Sequence, residues 1–288
     1  MPTELGLKRP IDGLTVAIIR EIHTAATALG HRAMLVGATA RIILIENVCG
    51  LPTGRATKDV DFAFAMESWE QFEALRQRLI EQHGFEADPR VTHKLYYRPK
   101  GSAHGFPVDL VPFGPLGGER EEIRWPPEMK IVMNVAGFAD ALESAVSVEV
   151  DAHLRVAIAS LPAIAVLKLF AWLDRHQETE KDAIDLTALL RLYCEIEQER
   201  AYGIPEDVFA GVGYDIELAG AWLLGNDARQ VTLAPTTEKL TALFLNTPQT
   251  DALIRDMARA LPGKGDPEGH ATNLLEQFVE GFGAMFGT

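Results

Sequence analysis

The run Lys58-Asp-Val-Asp-Phe-Ala-Phe64 sets Asp59 and Asp61 on either side of Val60 inside an otherwise apolar, β-prone segment. Side chains of an extended strand alternate between faces, so Asp59 and Asp61 share one face while Val60 and Phe62 share the other. A chain carrying such a segment builds a sheet in which one face is anchored in a core and the other presents two carboxylates. Like charges this close raise each other's pKa unless they share a cation, and a divalent metal is the usual one. A solvated edge strand with outward polar positions fits the same spacing, so other segments must decide between the two readings.

The chain has 288 residues, 47% of them apolar, which exceeds one small core and suits two folded domains. The opening Met1 to Gly13 lacks a basic segment followed by an apolar core. The apolar run from Leu161 to Leu173 is short and broken by Lys168. These features predict a cytoplasmic protein without a membrane partner. Cys49 and Cys194 stand far apart with no metal-binding spacing, which predicts reduced thiols in the core. Charge is uneven: residues 1–130 carry 16 basic and 17 acidic side chains, and residues 131–288 carry 11 and 24. A polyanion should therefore meet the first half, and broad nonspecific nucleic-acid binding is disfavoured.

Periodicity predicts a helix over 11–29, a strand Ala33 to Val36 ending at Gly37, a helix over Ala38 to Val48, and then the acidic strand. A helix over Ser68 to Gln82 follows, with Ser68 as N-cap and Gln71 as its capping-box partner. Val91 to Arg98 and Phe106 to Phe113 read as two strands around a Gly-Ser-Ala-His-Gly turn. After Ser160 only helices are predicted: Leu161 to Arg175, Glu178 to Glu199, Pro205 to Leu224, Pro235 to Leu245, Thr250 to Leu261 and His270 to Phe286. The expected architecture is α+β, with a mixed-sheet domain over residues 1–157 and an all-helical domain over 158–288.

Three segments of the first domain carry chemistry. Gly37, between a strand and a helix start, offers free backbone N–H groups suited to a phosphate. The Asp59/Asp61 strand follows, and Asp109 then interrupts a further apolar strand between Val108 and Leu110. In this order the segments resemble the nucleotidyltransferase fold of the polymerase β superfamily. The chain continues as the AbiEii-type nucleotidyltransferases do, a family of bacterial toxin–antitoxin and phage-defence toxins. A lysine-bearing helix, LPAIAVLKLFAWLDR with Lys168 and Arg175, precedes a Lys-Asp-x-x-Asp helix with Lys181, Asp182 and Asp185. The resemblance spans residues 30–192. It implies that Asp59, Asp61 and Asp109 hold metal and that Gly37, Ala38 and Thr39 cradle a triphosphate. Lys168 and Asp182 then act as further active-site residues, with Arg55 and Lys58 as cations near the nucleotide. Where the family has Gly-Gly or Gly-Ser, this chain has Gly37-Ala38, so a hydroxyl contact to phosphate falls to Thr39 or is absent. The implied cofactor is Mg2+, in two ions about 3.5 to 4 Å apart, the second arriving with the NTP.

The resemblance implies transfer of a nucleoside monophosphate from an NTP to an acceptor, the tRNA 3′ end, by a toxin with a cognate antitoxin. Arg41, Arg55, Lys58, Lys94, Arg98 and Lys100 are the expected RNA-facing cations, and Lys168 is expected to reach the nucleotide from the second domain. Two other readings compete. A small-molecule nucleotidyltransferase of the antibiotic-modifying kind suits the acidic second half, and a non-catalytic nucleotide-binding module needs no transfer at all. Without the resemblance, Asp182 and Asp185, at i and i+3, read as surface salt-bridge partners of Lys181. Of the tryptophans, Trp125 is the least obviously core. His93 and Lys94 lie on the strand before Asp109, where either a basic residue faces nucleic acid or nucleotide or His93 is a plain strand histidine.

Overall fold

The structure, a computed structural model, describes residues 4–53, 57, 59–263 and 265–287. Two compact units divide after Ser160.

The first unit is built on an eight-stranded mixed sheet. In chain order its strands are β1 (Glu4–Leu5), β2 (Ala33–Val36), β3 (Val60–Ala65), β4 (Phe85–Ala87), β5 (Lys94–Tyr97) and β6 (Phe106–Phe113), with β9 (Val146–Asp151) and β10 (Leu154–Ile158). Across the sheet they run β1-β9-β10-β2-β3-β6-β5-β4. β7 (Glu122–Arg124) and β8 (Val132–Asn134) form a separate antiparallel ribbon. The centre of the sheet is apolar: Met34, Leu35, Phe62, Phe64, Val108 and Leu110 are all buried. That burial fixes the register, because a one-residue slip would turn Asp61 and Asp109 inward.

Helices α1 (Gly13–Ala28) and α3 (Trp69–Gln82) pack against each other in this unit. Asp12 caps α1 by accepting from the Thr15 N–H at 2.9 Å. Ser68 caps α3, accepting from the Gln71 N–H at 3.4 Å, while the Gln71 side chain accepts from the N–H of Glu67, one residue before the cap. The predicted helix after Gly37 is two joined pieces, α2 (Gly37–Ile42) and a π-helical stretch Ile43–Cys49, closed by Gly50 in the left-handed region. A short α4 (Phe138–Glu143) precedes β9.

The second unit is helical throughout its described residues: α5 (Leu161–Arg175), α6 (Lys181–Ile196), α7 (Gln198–Ala201), α8 (Glu206–Gly211), α9 (Ile216–Val231), α10 (Ala234–Phe244), α11 (Thr247–Ala258) and α12 (Pro267–Phe282). The single helix expected over Pro205 to Leu224 is broken, because Gly213 and Tyr214 adopt positive φ and Asp215 starts a new helix by capping Glu217 and Leu218. The core of the unit is α9 packed on α6 and α12. Tyr193 donates to Asp227 at 2.6 Å, and Arg200 grips the same carboxylate, so the buried Asp227 is fully engaged. Neither cysteine forms a disulfide, and burial pushes the Cys194 thiol up to about 11. No helix among the described residues is long and apolar enough to cross a membrane.

Candidate active site

The parallel pairing of β3 with β6 sets Asp61 directly opposite Asp109, and the antiparallel pairing of β2 with β3 sets Val36 opposite Asp61. Asp59 leads into β3. Carboxylate oxygens of Asp59, Asp61 and Asp109 lie within 4.8 Å of one another, each side chain half-exposed. The apolar partners Val60, Phe62, Val108 and Leu110 are buried on the opposite face, so the alternation read from the sequence is the alternation observed.

Gly37 makes this convergence sterically feasible. Its φ is +69°, a conformation that disfavours a side chain, and a Cβ placed there would lie 2.2 Å from Asp61 Oδ2. The chain thus turns from β2 into α2 in contact with a carboxylate. Ala38 follows at the half-exposed helix start. Thr39 is buried, and its hydroxyl donates to the Asp59 carbonyl at 2.7 Å. That proton is committed to the protein, so Thr39 acts by fixing the backbone that carries Asp59. Thr57 donates its hydroxyl to Asp59 Oδ1, an orienting contact absent from the sequence expectations.

The second contact missing from those expectations is Lys94. Register places it opposite Asp109 across β5 and β6, and its Nζ lies 3.3 Å from Asp109 Oδ1. Burial, the largest single influence, would lower the Lys94 pKa, but Asp109 together with Tyr96 and Asp59 raises the ammonium above its usual value. Burial also pushes the Asp109 carboxyl above its usual range, and Lys94 and His93 only partly offset that. Asp109 Oδ1 is buried and forms no aligned hydrogen bond. His93 itself packs on Trp125 with ring centroids 4.6 Å apart, and burial lowers its pKa. Trp125 is buried against Trp69 and Phe72, so it belongs to the core.

In the second unit, Lys168 donates to Asp182 at 2.9 Å and to Asp185 at 2.7 Å. Both aspartates are buried, which replaces the surface salt-bridge reading: they pair with Lys168 across helices rather than with Lys181 beside them. Arg175 adds a two-pronged grip on Asp182 at 2.7 and 3.0 Å. Burial would push the Asp182 carboxyl up, yet Arg175 and Lys168 together hold it below its usual value. The partner that desolvation demands of a lysine in an apolar run is thus supplied inside the unit.

Other expected cations differ from the expectation. Arg41 is buried, 1% exposed, and offers no charge at a rim. Arg98 is held by Glu86 through two contacts at 2.7 Å and by the Ala103 carbonyl. Arg55 and Lys58 lie outside the described residues. A cavity of about 760 Å3, lined by His23, His31, Arg32 and Arg155 among others, includes none of the candidate residues.

The residues present fit a hard divalent cation. All three donors are carboxylate oxygens lying within 4.8 Å of one another, and Asp109 Oδ1, buried and without an aligned hydrogen bond, has among the described residues only the Lys94 ammonium at 3.3 Å beside it. A mixed sheet that gathers three aspartates beneath a glycine turn is a carboxylate centre of the class that could hold a divalent cation. The chain belongs to the AbiEii family, whose profile, described as "Nucleotidyl transferase AbiEii toxin, Type IV TA system", matches residues 23–268. It is therefore a nucleotidyltransferase of α+β fold. No curated protein matches the sequence. Among solved structures it is similar to an antigenic nucleotidyltransferase-like protein from Paracoccidioides brasiliensis, at 15% identity over 72% of this chain and 95% of that one, with a TM-score of 0.43. The antibiotic-resistance factor ANT(2'')-Ia matches at 17% identity over 71% of this chain and 97% of that one, TM-score 0.37. A CCA-adding enzyme in complex with ATP matches at 13% identity over 94% of this chain and 71% of that one, TM-score 0.29. At these TM-scores the likenesses do not bear on activity.

Proposed function

We propose that this protein transfers a nucleoside monophosphate from an NTP to the 3′ end of tRNA, acting in the cytoplasm as the toxin of a toxin–antitoxin pair. The observation that carries the reading is the meeting of Asp59, Asp61 and Asp109 beneath Gly37. Those three aspartates would hold Mg2+, which supplies charge neutralisation at the triphosphate and a lowered pKa at the acceptor hydroxyl. Gly37 to Thr39 bring backbone N–H groups to the phosphates. Asp109 serves the acceptor side. Lys168 and Asp182, paired with each other, are the further active-site residues of this reading, and Arg55 and Lys58 supply further positive charge. The toxin role and a protein antitoxin follow the family description.

The experiment is incubation of the purified protein with each labelled NTP, Mg2+ and total tRNA. Label at the tRNA 3′ end is the expected result. A second reading, transfer to a small hydroxylated compound, is favoured by one observation: buried Arg41 and Glu86-bound Arg98 leave the first unit with fewer cations for a polyanion. Label on such a compound, with tRNA ignored, would establish it. Nucleotide binding without any transfer would leave the non-catalytic reading.

A further inference from the structure

Lys94, expected from the sequence only as an RNA-facing cation, stands at the edge of the carboxylate cluster. Three observations define its position. Strand register sets it across from Asp109, its ammonium lies 3.3 Å from Asp109 Oδ1, and that oxygen is otherwise buried without an aligned hydrogen bond. The Lys94 side chain is 27% accessible, so it is tethered at the edge of the cluster and not locked in the core. A lysine has four rotatable carbons and a compact charge, which let it swing between partners at low steric cost.

We infer that Lys94 is the built-in counter-cation of the carboxylate triad, displaced from Asp109 when a divalent cation loads and thereby released to contact the NTP phosphates. The inference rests on the metal-dependent transfer reading. A divalent cation on the Asp109 carboxylate repels the ammonium already beside it, so metal entry favours release of Lys94. Register fixes the Lys94 backbone opposite Asp109, so the freed ammonium stays within reach of phosphate oxygens that complete the metal's shell. The exchange keeps the three carboxylates partly neutralised in both states. Lys94 is thus a positioning residue before loading and an electrostatic contact afterwards.

The test uses the full-length protein and two variants, Lys94→Met, which keeps most of the apolar stem, and Lys94→Ala. Mn2+ binding is titrated calorimetrically without nucleotide, and a non-hydrolysable NTP analogue is then titrated at saturating Mn2+. Both variants should bind Mn2+ about tenfold tighter than the wild type, the equivalent of one charge-assisted contact removed from competition, and bind the analogue about tenfold more weakly. Mn2+ should also raise the thermal midpoint of each variant more than that of the wild type, which confirms loading in a folded protein. Unchanged or weaker Mn2+ affinity in both variants overturns the counter-cation role, and unchanged analogue affinity overturns the hand-over to phosphate. If wild type and variants alike fail to bind Mn2+, the metal reading of the triad itself falls.

Discussion

A methyl group at Gly37 would sit 2.2 Å from Asp61 Oδ2 and would have to hold φ at +69°. Gly37→Ala should therefore displace the carboxylate and destabilise the fold by about 1–2 kcal/mol for the left-handed backbone alone. Label transfer should fall to background while circular dichroism stays folded. Lys168→Ala acts differently, because it removes one of three contacts to the buried Asp182 and an ion pair of the buried Asp185. It should lower unfolding free energy in urea by about 3 kcal/mol, the range for breaking a buried pair. Asp182 also gives a pH signature. Its carboxyl is held below its usual value, so the stability it contributes is present above the unfolded-state pKa and is lost as pH falls through the lower folded-state value. Asp182→Asn should be less stable than the wild type at neutral pH and should lose less further stability on acidification. At this scale Asp59, Asp61 and Asp109 were legible because strand alternation is a local rule. Lys94 was legible only as a cation on the strand before Asp109, since its contact with that carboxylate depends on which strand pairs with β6, and Thr57 gave no signal.

The helices of the second unit meet at glycines. A Cβ at Gly225 would lie 2.0 Å from the Phe278 carbonyl oxygen, and one at Gly281 would lie 2.0 Å from that of Trp222. α9 and α12 are therefore in backbone contact, and no side-chain movement can make room. Gly225→Ala should destabilise by about 1–3 kcal/mol or more through overpacking, read as a lower thermal midpoint, despite the higher helix propensity of alanine. The long elements were legible: α5 spans the predicted residues, and α3 and β6 agree within a residue. Helical periodicity over an apolar stripe and caps such as Ser68 carried them. The short strands β4, β9 and β10 were not individually legible, since their pairing depends on partners far along the chain. The break before Asp215 was missed because Val212 and Tyr214 continue an apolar pattern across Gly213, whose positive φ only the fold reveals.

The two units differ in charge as well as in architecture. Residues 1–160 carry 17 basic and 21 acidic side chains and residues 161–288 carry 10 and 20, so a phosphate backbone should approach the sheet-bearing unit. If tRNA is the acceptor, raising salt should weaken tRNA modification more steeply than NTP binding, because each phosphate contact adds to the salt slope. Transfer rates at graded KCl, compared with NTP affinity under the same conditions, check this. The central claim is that the Asp59, Asp61 and Asp109 cluster carries nucleotidyl transfer. Its most direct measurement is Mg2+-dependent transfer of label from NTP by wild type and Asp61→Asn, with thermal midpoints taken in parallel. The account predicts transfer by the wild type that EDTA abolishes, and at least a hundredfold loss in Asp61→Asn with an unchanged or higher midpoint, since a like charge has been removed; the hundredfold is an order-of-magnitude expectation of about 2.7 kcal/mol in the barrier. A folded Asp61→Asn protein that transfers label at the wild-type rate would contradict it.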